Sequence, residues 1–157
     1  MRTIAELLLA GLEWQANFEK IEYIPEWSSP CVILPADSNG FVHWHPAPIS
    51  DKTTIEKLKL RSEIGDFFTS YFGKPIYANH SGEECIIHAS WNQQELESTA
   101  SDVSLMLSEE IPICIATTNS DFYFGACNKT GTIWLCEPGY PPIRKVSESL
   151  HDFLSET

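Results

Sequence analysis

Strand-like runs that follow one another with only short turns between them limit most strongly what this chain can fold into. Turn-forming sequences separate three pairs of runs, namely ADSNG at 36–40, NSD at 119–121 and NKTG at 128–131. Strands without an intervening helix cannot pair in parallel. We therefore expect a largely antiparallel sheet packed by helices, which is an α+β domain. The predicted strand runs are CVILP (31–35), FVHWH (41–45), KPIYA (74–78), ECIIHASW (84–91), ICIATT (113–118), FYFGAC (122–127) and TIWLC (132–136).

About four segments show the spacing of apolar residues that is typical of helices. Three of them begin with a possible helix cap followed three residues later by Glu, at Thr3, Thr53 and Asn92. The first helix is predicted from Ile4 to about Phe18. The second helix has the apolar face Ile64, Phe67, Phe68 and Tyr71 and ends at Gly73, and the third has Leu96, Ala100, Val103 and Leu107. The fourth follows Pro141 and Pro142, begins with Arg144 and Lys145, and has the apolar face Val146, Leu150, Phe153 and Leu154. The predicted order is α-β-β-α-β-β-α-β-β-β-α.

The length and composition indicate one globular domain that spans residues 1–157. The chain has 157 residues, of which 43% are hydrophobic, so it can bury a core without disulfide support. No apolar run approaches the length of a membrane span, and the N-terminus does not resemble a signal peptide. Five cysteines without a CxxC pair favour free thiols in a reducing compartment.

The negative charge of the chain is concentrated in its middle. The formal net charge is -12, and residues 63–121 hold ten acids against Lys74 as the one base. Such a field opposes contact with phosphates, so nucleic acid is not an expected partner. A basic protein surface is the natural complement, although acids on helix faces also serve solubility alone.

Two histidines in FVHWHPAP, His43 and His45, raise the hypothesis of a metal-dependent enzyme. Residues i and i+2 of a strand lie on one face and can chelate a metal together. No second histidine cluster or HExxH motif supplies a third ligand. The alternative is a structural role, with Trp44 packing on the opposite face and Pro46 and Pro48 ending the strand pairing. We prefer this alternative and predict no metal and no cofactor.

Other catalytic patterns are equally weak. Cys127 followed by Asn128 lies at a predicted hairpin turn, but the sequence does not distinguish a nucleophile from a core thiol. The adjacent acids Glu83–Glu84 and Glu109–Glu110 are typical of solvated element ends rather than of acid–base catalysts. We therefore expect no enzymatic activity and no catalytic residue.

Six motifs occur in an order that resembles the Syd family, the SecY-interacting proteins of bacteria within the SUKH superfamily. They are SPCVIL (29–34), WHPAP (44–48), SW (90–91), PICIATT (112–118), CNKTG (127–131) and FL (153–154). The resemblance extends from about residue 23 to the C-terminus. The residues that form its structural signature are Ser29, Pro30, Cys31, Trp44, Pro46, Pro48, Trp91, Cys127, Asn128 and Gly131.

The resemblance implies a protein-binding function rather than an enzyme. A Syd-like protein is cytoplasmic and docks peripherally on the cytoplasmic side of the inner membrane, where an acidic concave face binds basic cytoplasmic loops of the SecY translocon. Membrane association would then occur only through this partner. The expected contributors to the acidic face are Glu83, Glu84, Glu95, Glu97, Glu109, Glu110 and Asp121. The alternative within the superfamily is an immunity protein that neutralises a bacterial toxin domain.

Overall fold

The computed structural model describes residues 2–157 and contains five helices within them. The helices are α1 (Ile4–Phe18), α2 (Thr53–Glu56), α3 (Ser62–Thr69), α4 (Gln93–Ser108) and α5 (Leu150–Ser155). The strands are β1 (Ile21–Glu22), β2 (Val32–Ile33), β3 (Phe41–Trp44), β4 (Ala47–Pro48), β5 (Tyr71–Phe72), β6 (Ile76–His80), β7 (Glu83–Ile87), β8 (Ile113–Thr118), β9 (Tyr123–Ala126), β10 (Ile133–Cys136) and β11 (Arg144–Ser147).

The predicted α+β class is confirmed, because the main sheet is antiparallel throughout. Six strands pair in the order β11-β10-β9-β8-β7-β6, so each strand lies beside its neighbour in the chain. A three-stranded sheet, β1-β3-β2, and the pair β4-β5 complete the pairing. Every strand run predicted from the sequence overlaps one of these strands.

The two faces of the six-stranded sheet differ in their environment. Directly paired residues share a face, and the register aligns one buried row across the sheet: Ile76, Ile87, Ala116, Phe124 and Leu135. This row packs against helices, with the Phe124 ring centroid 5.1 Å from that of Phe153 in α5. We call it the helix-covered face.

The opposite face of the sheet carries residues that meet solvent. Its corresponding row consists of Tyr77, Ile86, Thr117, Tyr123 and Cys136, of which Cys136 alone is buried. Tyr77 is 60% exposed and Ile86 is 36% exposed, in contrast to the buried row beside them. We call this side the open face.

The first and third predicted helices form with their caps. The Thr3 hydroxyl accepts a hydrogen bond from the Glu6 N–H, and the Glu6 carboxylate accepts one from the Thr3 N–H, as a capping box requires. Asn92 caps α4 by accepting from the Glu95 N–H at 2.9 Å. The Glu95 carboxylate accepts from the Trp91 N–H rather than from Asn92 itself.

The second predicted helix was wrong in its extent, because the segment from Thr53 to Gly73 is divided into α2, α3 and β5. Lys59 has a left-handed φ of 57°, which ends helical geometry between α2 and α3. Thr53 does not cap a helix; its N–H donates to the Asp51 carboxylate. Tyr71 leaves the helix and pairs with Pro48 in the small β4-β5 sheet.

The fourth predicted helix was also too long. Arg144, Lys145 and Val146 belong to β11, which pairs with β10, and the helix begins only after the Ser149 cap. Pairing with an existing sheet edge satisfies the backbone groups of this short segment, which an isolated helical turn does not. The predicted strand ECIIHASW likewise ends at Ile87.

No helix within residues 2–157 combines the length and the apolar character that a membrane span requires.

Candidate functional site: a groove on the open face of the sheet

A groove of about 970 Å³ lies over one end of the open face. The side chains of Tyr123, Trp134 and Cys136 contribute to its floor from β9 and β10. Its walls come from three segments: 107–112 at the end of α4 and beyond it, 127–132 between β9 and β10, and 137–145 from the end of β10 into β11. The lining mixes three aromatic residues and three prolines with five charged side chains, a composition that suits binding of a protein segment.

The floor is closely packed around Gly125, which lies beside Trp134 in the β-ladder. A Cβ atom at Gly125 would come within 2.6 Å of the Pro112 Cβ and 3.0 Å of the Tyr123 ring. The Tyr123 hydroxyl donates to the Pro112 carbonyl at 3.4 Å. Glycine at this position therefore lets the loop after α4 approach the sheet and form one wall of the groove.

The wall between β9 and β10 is held by Arg61, just before α3. The Arg61 N–H donates to the Asn128 side-chain oxygen at 2.8 Å, and its guanidinium donates to the Lys129 carbonyl at 3.0 Å. Gly131 adopts a φ of 80°, and a Cβ there would lie 2.9 Å from both the Arg61 and the Glu63 side chains. The turn from Cys127 to Gly131 is thus fixed by packing and hydrogen bonds to the helical layer.

Three carboxylates and two lysines line the groove. Glu109 and Glu110 follow α4, and Glu137 follows β10. The ammonium group of Lys145 lies 2.7 Å from the carboxylate of Glu148, which compensates its charge. The three carboxylates of the lining outnumber its two lysines, Lys129 and Lys145, so the groove has an excess of negative charge.

The structure distributes the seven acids predicted for the acidic face over several locations. Glu109 and Glu110 line the groove, and Glu84 lies on the open face in β7. Glu83 points to the helix-covered face because adjacent strand residues alternate, and its carboxylate lies 3.9 Å from the guanidinium of Arg144. The remaining three lie outside the groove lining: Glu95 bonds to the start of α4, Glu97 is exposed on α4, and Asp121 is exposed between β8 and β9.

Sequence comparison identifies the family of the chain. The family model of the Syd protein (SUKH-2) matches residues 10–157. Protein Syd of Pseudoalteromonas atlantica is 26% identical, with 94% of this chain and 87% of the relative covered. Protein Syd of Shewanella halifaxensis is 26% identical over 90% of this chain and 75% of the relative, and that of Alteromonas mediterranea is 25% identical over 87% and 83%.

The chain belongs to the Syd family.

Three of the Syd signature motifs, SPCVIL, WHPAP and SW, meet in one cluster. The Ser29 hydroxyl donates to the Trp91 carbonyl and accepts from the N–H of Cys31, whose side chain is buried. The Trp44 and Trp91 rings are in edge contact with centroids 6.0 Å apart, and the Trp44 indole N–H donates to Glu19. These contacts give a physical reason for three motifs that lie far apart in the sequence.

The three prolines of the Syd signature differ in their burial. Pro46 is buried directly after β3, and the exposed Pro48 pairs with Tyr71 in the β4-β5 sheet. Pro30, next to Ser29, is exposed.

His43 lies on the solvent side of β3, and His45 is exposed directly after the end of this strand. His45 Nε2 lies 3.6 Å from the carboxylate of Glu13, and its Nδ1 lies 3.0 Å from the Pro46 carbonyl. Among residues 2–157 no group of three or more His, Cys, Asp or Glu side chains could hold a metal ion. The HxH pattern therefore has no third ligand in the part of the chain that the structure describes.

Cys127 lines the groove and differs from the other thiols. Burial alone raises its pKa, but hydrogen bonds from Thr130 and Lys129 outweigh this effect and lower the pKa below its ordinary value. Burial raises the pKa of Cys85 and of Cys114 to about 11. All five cysteines are free.

Trp134, Glu137 and Tyr140 are groove residues that the sequence reasoning did not select. No sequence pattern marked Trp134, because its place beside Gly125 depends on the register of β9 and β10. Glu137 and Tyr140 lie in the loop before β11, whose position depends on tertiary packing.

Proposed function

We propose that this protein is a non-enzymatic binding domain that docks on the cytoplasmic side of the bacterial inner membrane by binding basic cytoplasmic loops of SecY. The groove on the open face would receive the loop, with Glu109, Glu110 and Glu137 facing its lysines and arginines. The observation that carries the proposal is a groove lined by three aromatic side chains and by more carboxylates than lysines, in a chain that belongs to the Syd family.

Charge favours such a partner at long and at short range. The net charge of -12 attracts a basic segment before contact, and carboxylates around the groove orient it on arrival. Cytoplasmic loops of membrane proteins are rich in Lys and Arg, so they offer the complementary charge. Because exposed charges are screened, the interaction should weaken steeply as salt is added.

Retention on SecY-containing membranes tests this proposal. The purified protein is incubated with membranes that contain or lack SecY, at low and at high salt, and the bound fraction is measured. We expect SecY-dependent retention at low salt that declines at high salt. Absence of retention at low salt would refute SecY binding.

A pair of charge-matched variants tests the role of the groove. Glu109→Gln with Glu110→Gln removes two charges from the groove, whereas Glu97→Gln with Asp121→Asn removes two exposed charges outside it. We expect the first variant to lose retention several-fold and the second to keep most of it. Equal losses would show that total charge matters and that the groove does not.

The second candidate function is a SUKH-type immunity protein that neutralises a bacterial toxin. The match to a SUKH-2 family model favours it, because an acid-rimmed groove also suits a basic toxin domain. Co-expression with toxins encoded beside this gene tests it. Rescue of growth would support this function, and a lack of rescue together with SecY retention would support the first.

A further inference from the structure

Trp134 offers an aromatic surface to the groove from a fixed position. Its indole N–H donates to the Thr132 hydroxyl at 2.8 Å, which restrains the ring, and its side chain is only partly buried. Its neighbour on β9 is Gly125, and the space above that glycine is filled by Pro112 and the Tyr123 ring. Because Trp134 lines the groove and is only partly buried, part of its aromatic surface remains available there.

No cation within residues 2–157 occupies this surface. Among residues 2–157 one cation–π contact is present, with the Lys74 ammonium group 5.3 Å from the centroid of the Trp91 ring. Lys145 lies beside Trp134 in the β-ladder, but its ammonium group pairs with Glu148 instead. The indole of Trp134 is thus an unoccupied cation–π acceptor next to an excess of carboxylates.

A guanidinium group fits this combination better than an ammonium group does. Arginine is planar, stacks on aromatic faces and donates two parallel hydrogen bonds to a carboxylate, and it loses less hydration on burial. Glu137 lies three residues after Trp134 along the same chain segment, and Glu109 and Glu110 lie on another wall of the same groove. Tyr140, which is 67% exposed, adds a second aromatic side chain to the lining.

We propose that the groove selects arginine over lysine, with a guanidinium stacked on Trp134 and hydrogen-bonded to carboxylates of the rim. The proposal rests on the proposed function, since it names the side chain of the basic partner segment that enters the groove. Replacement of the key arginine by lysine should weaken binding by about tenfold, because an ammonium group lacks the planar stacking and the two parallel hydrogen bonds of a guanidinium.

Two peptides that differ only in their cations test this selectivity on the full chain. One peptide carries four arginines in a Gly/Ser background and the other carries four lysines at the same positions. Affinities are measured by calorimetry at low salt for the wild-type protein and for Trp134→Leu, Trp134→Phe and the remote control Trp14→Leu. Trp14 is 54% exposed on α1 and does not line the groove.

The expected pattern separates stacking from charge. The wild-type protein and Trp14→Leu should prefer the arginine peptide by about tenfold, Trp134→Phe should retain part of the preference, and Trp134→Leu should lose it. Trp134→Leu should weaken binding of the lysine peptide less than that of the arginine peptide, because an ammonium group does not stack on the indole as a guanidinium does. The variant Glu109→Gln with Glu110→Gln should weaken both peptides.

Several outcomes would overturn the proposal. Equal affinity of the wild-type protein for both peptides would do so, as would an arginine preference that survives in a folded Trp134→Leu variant. Thermal unfolding of each variant establishes that it is folded, and Trp134→Phe provides a second measurement if Trp134→Leu is not. Arginine selectivity without retention on SecY membranes would refute the SecY proposal but not the arginine proposal. Retention on SecY membranes that is unaffected in Trp134→Leu and Trp134→Phe would refute the arginine proposal but not the SecY proposal.

Discussion

Replacement of Asn92 should reveal how strongly the start of α4 is tied to the N-terminal part of the chain. Asn92 is 8% exposed and makes two different hydrogen bonds. Its side-chain oxygen accepts from the Glu95 N–H at 2.9 Å, and its amide nitrogen donates to the Ser28 carbonyl at 2.7 Å. The first bond caps the helix, and the second joins α4 to the segment that carries the Ser29 motif.

The two bonds predict a large effect of Asn92→Ala on the free energy of unfolding. Loss of an N-cap side chain costs about 0.5–2 kcal/mol. The Ser28 carbonyl also loses its partner in a partly buried site, which costs about 1–3 kcal/mol. We therefore expect a total loss of about 1.5–5 kcal/mol. Asn92→Ser keeps a capping oxygen but lacks the amide donor, so it should lose only the second part.

Urea unfolding followed by far-ultraviolet circular dichroism measures these differences. For a chain of this size the slope is about 1–3 kcal/mol per molar urea, so Asn92→Ala should lower the midpoint by about 1 M or more. Thr3→Ala removes an exposed cap of α1 and is the reference for a cap alone. If Asn92→Ala costs no more than Thr3→Ala, the bond to Ser28 does not stabilise the fold and the reasoning is wrong.

Three further predictions concern single groups. Burial lowers the pKa of His88 to about 4, from an ordinary value of about 6.5 in the unfolded state. Between these two pH values only the unfolded state takes up a proton, so about 1–3 kcal/mol of stability should be lost as the pH falls to 4. His88→Gln should flatten this part of the plot of urea midpoint against pH. Cys127 should react with a maleimide at least tenfold faster than Cys85 at pH 7, as mass spectrometry of labelled peptides can show, because its thiol is more acidic and more accessible. Glu110→Gly should raise the free energy of unfolding by about 1 kcal/mol, because Glu110 has a left-handed φ of 57°; unchanged stability in urea would contradict this.

The strands of the main sheet were predictable because their signals are local. Apolar residues are dense in each run, and the turns contain residues that suit them, such as Gly131 with its φ of 80° in NKTG. Antiparallel pairing of neighbours in the chain needs no long-range information. The sequence therefore indicated the α+β class and most of the strand order.

The segments that were mispredicted depend on tertiary contacts. The apolar spacing between Ile64 and Tyr71 fits one helix, yet Tyr71 pairs with Pro48, which is far away in the chain. In the same way, the residues from Arg144 to Ser147 join the edge of the sheet beside β10. Periodicity shows which residues are buried, but not which partner buries them.

The candidate site was predictable only in part. Glu109 and Glu110 were selected from the acidic middle of the chain, and both line the groove. Glu83 and Glu84 were selected together, although alternation in a strand places neighbours on opposite faces. Net charge along a sequence does not indicate a common surface, because strand register and helix caps decide where each carboxylate lies.

The end of α4 links the architecture of the chain to the proposed function. The N–H groups of Glu110 and Ile111 donate to the carbonyls of Leu107 and Met106, a C-terminal cap in which glycine is favoured at position 110. The last turn of α4 has no basic residue, and two carboxylates follow it at the negative end of the helix dipole. Stability alone would place glycine and lysine here. A cation in the groove would offset the unfavourable charge of both residues, so their position is understandable if the groove binds a basic partner.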